Sequence, residues 1–257
     1  MNKRILYFEC YSGISGDMTV ASLLDLGADR GVLMKALASL SLDEFTIETD
    51  RVLKNGISAF DFNVILKQQP DHHHHSHRNL NDIFQIIDRA DLTPKARDLS
   101  KKIFMIVAQS EAEAHALPLD QVHFHEVGAI DSIVDIVSAS VCLDNLNMDK
   151  AVFSTLSEGS GTVECQHGTL PVPVPAVTNI IRKYGLPIRI TQTEGEMITP
   201  TGAAIAAAIC SYEKLPDQYR ILKTGCGAGK RVFPNNTNIL RAYFLEEVPA
   251  ESNDGRA

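Results

Sequence analysis

A chain of 257 residues with 44% apolar content is long enough for one large domain or two modest ones, each with a real core. Its 24 basic and 32 acidic residues give a formal charge of −8 and are interspersed, so the sequence offers no basic footprint for nucleic acid or an anionic membrane. No apolar run reaches the ~20 residues of a membrane helix, no signal-peptide core follows Met1, and five scattered cysteines without a CxxC pair encode neither disulfides nor a zinc ribbon, so a reducing cytoplasm is expected.

The opening segment, 4–9, reads as a strand, followed by a glycine-bearing turn at 12–16 and a helix that stops at Gly27. This is a βα unit. A second helix starts at Asp29 with Leu33, Leu37 and Leu40 inward, and strands over 45–51 and 58–66 form a hairpin around Asn55-Gly56. After a histidine tract comes a helix over 80–89, then a longer one opened by Thr93-Pro94, where threonine caps and proline suits the first turn. The second half is richer in loops: a strand near 151–156, a glycine segment at 159–161, a stiff proline run at 170–175, a helix over 176–184, a strand over 186–191, an alanine-rich helix opened by Thr199-Pro200, and a closing strand over 238–244. The pattern predicts a mixed fold, α/β or α+β, with an N-terminal region over 1–149, a second region over 150–248 that can belong to the same domain, and a disordered tail over 249–257.

The densest chemistry lies between His123 and Asp135, where His123, His125, Glu126, Asp131 and Asp135 fall within thirteen positions. Alternation along an extended segment puts His123 and His125 on one face, and a helix opened by Asp131 puts Asp131 and Asp135 on one face. Imidazole suits nickel, zinc, copper or iron, and carboxylates supply charge and oxygen donors. The competing reading is a helix cap with histidines satisfied by backbone groups. The tract His72, His73, His74, His75 and His77 can capture divalent ions loosely or be a solvated loop.

Three glycine-bearing places can cradle anions or simply be tight turns: Ser12, Gly13, Ser15, Gly16 and Asp17 between the first strand and helix; Thr199, Thr201 and Gly202 at a later helix start; and 225–231, where glycines precede Lys230 and Arg231. None has the spacing of a standard nucleotide motif. Asp17 and Glu9 can each be a ligand, base or cap. Cys10 and Cys165 are the candidate reactive thiols, against the commoner state of buried inert thiol.

Read together, SGISGDM at 12–18, the histidine tract, SEAEAH at 110–115, HFHEVGAIDSIVDIV at 123–137, GSGTVECQHGTLPVPVPA at 159–176, EGEMITPTGAA at 194–204 and GCGAGKR at 225–231 resemble the LarC family of nickel insertion proteins, in order and over nearly the whole chain. The resemblance implies a lyase-class cyclometallase (nickel chelatase) that uses CTP with Mn or Mg to place nickel between two thiocarboxylate sulfurs of a pyridinium mononucleotide. The product is the nickel-pincer cofactor, with lactate racemase apoprotein as recipient. On this sequence it points to His123, His125 and Glu126 for nickel delivery or proton acceptance, with Asp131 and Asp135 in support and the glycine turns and Lys230 or Arg231 on substrate phosphate. It further implies a homo-oligomer, and a C-terminal CTP-binding companion that this chain lacks, as in the N-terminal product of a split gene. Nickel storage or delivery without catalysis, and a metal-dependent hydrolase, remain open alternatives.

Overall fold

The structure, a computed structural model, describes residues 4–67, 78–122, 130–165 and 168–248. β1 (Arg4–Glu9) runs between β4 (Lys150–Phe153), to which it is parallel, and β10 (Ile239–Glu247), to which it is antiparallel. Among the described residues, six strands form the main sheet, in the order β2 (Phe45–Lys54), β3 (Ile57–Leu66), β9 (Tyr219–Ala228), β10, β1, β4. Strands from before and after Asp149 are interleaved in it. Asn55 and Gly56 both take positive φ, 49° and 80°, which is the backbone that a two-residue hairpin loop matched to strand twist requires.

Alternation in β1 decides the two faces of the sheet. Leu6 and Phe8 point into the main core under the helices, while Ile5 packs on the far side with Val152, Tyr243 and Leu245. α1 (Gly16–Leu26) lies directly on β9, which is why it is buried nearly all round. Gly225 and Gly227 allow this approach: a β carbon on either would stand 2.1 Å from a backbone oxygen of α1, Ser22 O or Met18 O. Residues 225–228, read from sequence as part of a flexible cradle, are therefore the end of an ordered strand, and their glycines serve packing.

α5 (Ile130–Leu146) packs on α1 and on α2 (Arg30–Ala38), which Asp29 caps. α4 (Pro94–His115), capped by Thr93, packs on α5, on α3 (Leu80–Arg89), on α6 (Pro175–Tyr184) and on α7 (Pro200–Ile209). Two smaller pairings complete the fold, β5 (Leu156–Ser160) with β8 (Ile188–Glu194) in parallel and β6 (Thr162–Cys165) with β7 (Gly168–Pro171) as a hairpin. The fold is mixed α and β, as expected. Most elements fall where the sequence places them; the strand expected over 151–156 is divided between β4 and β5, β8 starts two residues later than expected, and β6 and β7, four residues each and mostly exposed, and β9, exposed and polar-interrupted, are additions that gave no strand signal. No helix among the described residues is long and apolar enough to cross a membrane.

Candidate functional site

Two loops that precede helices cross each other and fix the site. The segment before α1 and the segment before α7 pair as a short parallel bridge: Ile14 N–H donates to Met197 O at 3.0 Å, and Thr199 N–H donates to Ile14 O at 3.1 Å. Gly13 and Gly202 are needed at the crossing, since a β carbon would meet Met197 O at 2.0 Å on the first and Ile14 O at 2.2 Å on the second. The helices then start side by side, with Ser15 capping α1 through Met18 N–H and Thr199 capping α7 through Gly202 N–H.

The first turn of α5 reaches the same place. A cavity of about 320 Å³ opens among Ser15, Gly16 and Asp17 of the first start, Asp131, Ser132 and Asp135 of α5, and Thr199, Pro200 and Thr201 of the third. Asn63 of β3, Glu196 and Lys230 close it. A recess of about 170 Å³ adjoins it past Lys230, walled by Gly229, Arg231, Phe233 and Asn238, and shares Ser15, Asp17, Glu196 and Thr199 with it. The N-termini of α1 and α7, with their dipoles, and the first described turn of α5 thus surround one space.

Its charge is nonetheless acidic. Burial, then the Asp17 and Asp131 carboxylates, push the Asp135 carboxyl well above the usual carboxylate range, against the pull of Lys230. Asp135 Oδ1 is closed off from water and has no hydrogen-bond partner. Burial also raises Asp17, opposed by hydrogen bonds from the Ser15 hydroxyl and Met18 N–H and by the charge of Lys230. Lys230 is held by Asp61 at 2.6 Å, and Arg231 by Glu196 at 3.0 Å.

Behind the site stands a residue that the sequence did not single out. Glu158 is fully buried in β5, and its Oε1 accepts from Gly159, Met197 and Ile198 N–H at 2.8, 2.7 and 3.1 Å, while Oε2 has no partner. It holds the segment that carries Glu196 and leads into Thr199. Burial raises its carboxyl, and the three amides offset part of that rise. Only its place between Ser157 and Gly159 in an otherwise buried strand hints at it, and that pattern is too common to read.

Of the residues expected from sequence, Ser15, Gly16, Asp17, Asp131, Asp135, Thr199, Thr201 and Lys230 line the larger cavity, and Lys230 and Arg231 the recess. Ser12 is buried and lines neither. Glu9 points elsewhere: it accepts from Arg241 and from the Tyr243 hydroxyl on the far face of the sheet. Cys10 is buried, and burial with the Glu9 charge raises its thiol, so it is not an activated nucleophile. Cys165 is half-buried, its Sγ 3.3 Å from Gly168 O. His72, His73, His74, His75, His77, His123, His125 and Glu126 lie outside the described residues, as does the expected tail. Among the described residues no three His, Cys, Asp or Glu side chains group closely enough to hold a metal ion.

Carboxylates and one ammonium thus line a single cavity beside two helix starts and the first described turn of α5. The chain belongs to the nickel insertion protein family, whose model matches residues 6–256. It is 54% identical over 255 residues to the pyridinium-3,5-bisthiocarboxylic acid mononucleotide nickel insertion protein of Alkaliphilus metalliredigens, a match covering 94% of this chain and 60% of that protein. The protein of the same description from Acetivibrio thermocellus is 47% identical over 232 residues, covering 89% of this chain and 57% of its own length. That from Geobacillus kaustophilus is 40% identical over 251 residues, covering 95% and 60%. The chain therefore spans about 60% of the length of these relatives. No solved structure matches it.

Proposed function

We propose that this chain takes part in inserting nickel into pyridinium-3,5-bisthiocarboxylic acid mononucleotide, and that the mononucleotide binds in the cavity where α1, α5 and α7 begin. The observation that carries the reading is that Lys230, Asp17, Asp131 and Asp135 line one cavity where these helices begin. The ligand has the matching polarity: an anionic phosphate and thiocarboxylates suit free N–H groups and an ammonium, and a pyridinium and a metal ion suit carboxylates. Lys230 or Arg231, with the turns at Ser15 and Thr199, meets the phosphate.

Insertion exchanges a ring carbon–hydrogen bond for a carbon–nickel bond, and the proton leaves to a base. His123, His125 and Glu126, which directly precede α5 in the sequence, are proposed as the groups that deliver nickel or accept that proton, with Asp131 and Asp135 supporting them. The tract His72, His73, His74, His75 and His77 gathers nickel. CTP, with Mn or Mg, acts through a C-terminal CTP-binding companion, the assembly is a homo-oligomer in the cytoplasm, and the product serves lactate racemase. A lyase-class cyclometallase is the reading this supports.

The test is to incubate the purified chain with nickel, CTP and the dithio precursor, with and without the companion, and to assay activation of lactate racemase apoprotein. Activation that depends on this chain and disappears in His125→Ala supports the reading; activation by the companion alone refutes it. The histidine tract favours a second reading, nickel storage. In a variant with the five tract histidines changed to serine, loss of stoichiometric nickel together with loss of product formation would favour storage, and loss of nickel alone a reservoir feeding insertion.

A further inference from the structure

We infer that Asp17 and Asp135 form a binding site for one divalent cation, built from carboxylate oxygen and separate from the histidines. The inference rests on the nickel-insertion reading for the identity of that ion, which is the reaction's own substrate. The two side chains come from different helices, the first turn of α1 and the second turn of α5, and both face the larger cavity. Gly16 makes their approach possible, because any β carbon there would stand 2.6 Å from Asp135 Oδ2.

Two observations point to a cation. Asp135 Oδ1 is shut away from solvent without a hydrogen-bond donor, and a buried carboxylate oxygen left in that state is costly unless a proton or a positive ion compensates it. Both hydrogen bonds to Asp17, from the Ser15 hydroxyl and Met18 N–H, fall on Oδ1, which orients the carboxylate while Oδ2 remains for a ligand. The surrounding charge does not already balance the pair. Among the described residues, Lys230 is the only basic side chain on this cavity, and Asp61 holds it at 2.6 Å.

The donor set also fits a transfer role. Carboxylate oxygen binds nickel less tightly than imidazole or thiolate does, so a two-carboxylate site would hold the ion beside the substrate and yield it to softer sulfur ligands. No covalent step is required of Asp17 or Asp135.

The experiment is a calorimetric titration with nickel alone, on the full chain carrying His72→Ser, His73→Ser, His74→Ser, His75→Ser and His77→Ser so that the tract does not mask the site. A stoichiometric equivalent of nickel should remain, and adding Asp17→Asn or Asp135→Asn should weaken it by about tenfold or more. The same preparations are melted with and without nickel: the ion should raise the melting temperature of the tract variant and fail to raise that of either Asn variant. Because Asn removes a buried charge while keeping the shape, neither Asn variant should melt lower than its parent in the absence of metal, and Asp135→Ser serves as the second replacement if one does. Equal nickel affinity in the parent and both Asn variants, or no binding once the tract is removed, overturns the site. The outcomes separate it from the insertion reading: product formed while the pair binds no nickel defeats the site alone, and nickel bound at the pair with no product defeats insertion alone.

Discussion

Gly16 lies against the side chain of Asp135, so that a β carbon on Gly16 would stand 2.6 Å from Asp135 Oδ2 and 2.9 Å from Asp135 Cβ. On its other side the same β carbon would meet Thr201 Cγ2 at 2.9 Å, so the position is closed by α5 and α7 together. Gly16→Ala must therefore push Asp135 away from Asp17 or lift α1 off its bed. The expected cost is about 1–3 kcal/mol, as for overpacking elsewhere in cores, despite the better helix propensity of alanine. Urea denaturation measures it. Nickel affinity at the carboxylate pair should fall alongside, and a variant that loses stability while binding nickel as tightly as the parent would show that Asp135 is no ligand.

Gly225 and Gly227 make a harder prediction, because their neighbours are backbone. A β carbon on Gly225 would stand 2.1 Å from Ser22 O and 2.5 Å from Leu26 N; on Gly227, 2.1 Å from Met18 O and 2.6 Å from Ser22 N. Neither contact can be relieved by a rotamer change, so α1 must separate from β9. Alanine at either position should cost about 3–5 kcal/mol, a large fraction of ordinary domain stability, and reduce soluble yield. Gly229→Ala meets only the side chain of Asn238, at 2.5 Å, and should cost less, about 1–2 kcal/mol. Urea midpoints of the three variants compare them directly; equal effects would mean that these glycines serve the loop rather than the packing of α1.

The same glycines show where sequence reading reaches its limit. Local signals were sufficient for most elements: Asp29, Thr93 and Thr199 cap the helices they precede, Gly27 and Gly185 end helices in left-handed backbone, and Asn55-Gly56 closes its hairpin. These depend on residues within a few positions of each other. Gly13, Gly202, Gly225 and Gly227 are set by partners far along the chain, and a glycine demanded by a distant backbone looks the same in sequence as one in a flexible loop. The pairing of Asp131 with Asp135 followed from helical spacing, whereas their meeting with Asp17 depends on how α1 and α5 pack. Glu158 was invisible for the same reason, since two of its three amide donors, Met197 and Ile198, come from the segment before α7.

Glu158 gives the pH prediction. Burial raises its carboxyl above the ordinary value of 4.5, with the three amides opposing. In that case the folded state holds the proton after the unfolded state has lost it, so the group's contribution is complete below the unfolded pKa and declines as pH rises through the folded one. Glu158→Gln removes this ionisation. Relative to the variant, the parent should therefore lose stability as pH climbs from about 4.5, its unfolded-state value, and the difference should level off above the raised folded-state pKa. Urea denaturation of both proteins across that range, without metal, measures the difference. A gap that is flat with pH would mean that Glu158 ionises in the folded state as it does in the unfolded chain.

Lys230 separates the two kinds of charge that the cavity is proposed to bind. Its ion pair with Asp61 is partly exposed on both sides, so Lys230→Gln should change folding stability by no more than about 1 kcal/mol. Its charge opposes the upward shifts of both Asp17 and Asp135. Removing a cation from the cavity takes away attraction for a phosphate and repulsion for a metal ion at the same time. The variant should thus bind the anionic mononucleotide about tenfold more weakly, with less dependence on salt, while binding nickel at the carboxylate pair as tightly as the parent or more tightly. A general distortion of the site would weaken both ligands together, so titrations with nickel alone and with the mononucleotide alone distinguish an electrostatic role for Lys230 from a structural one.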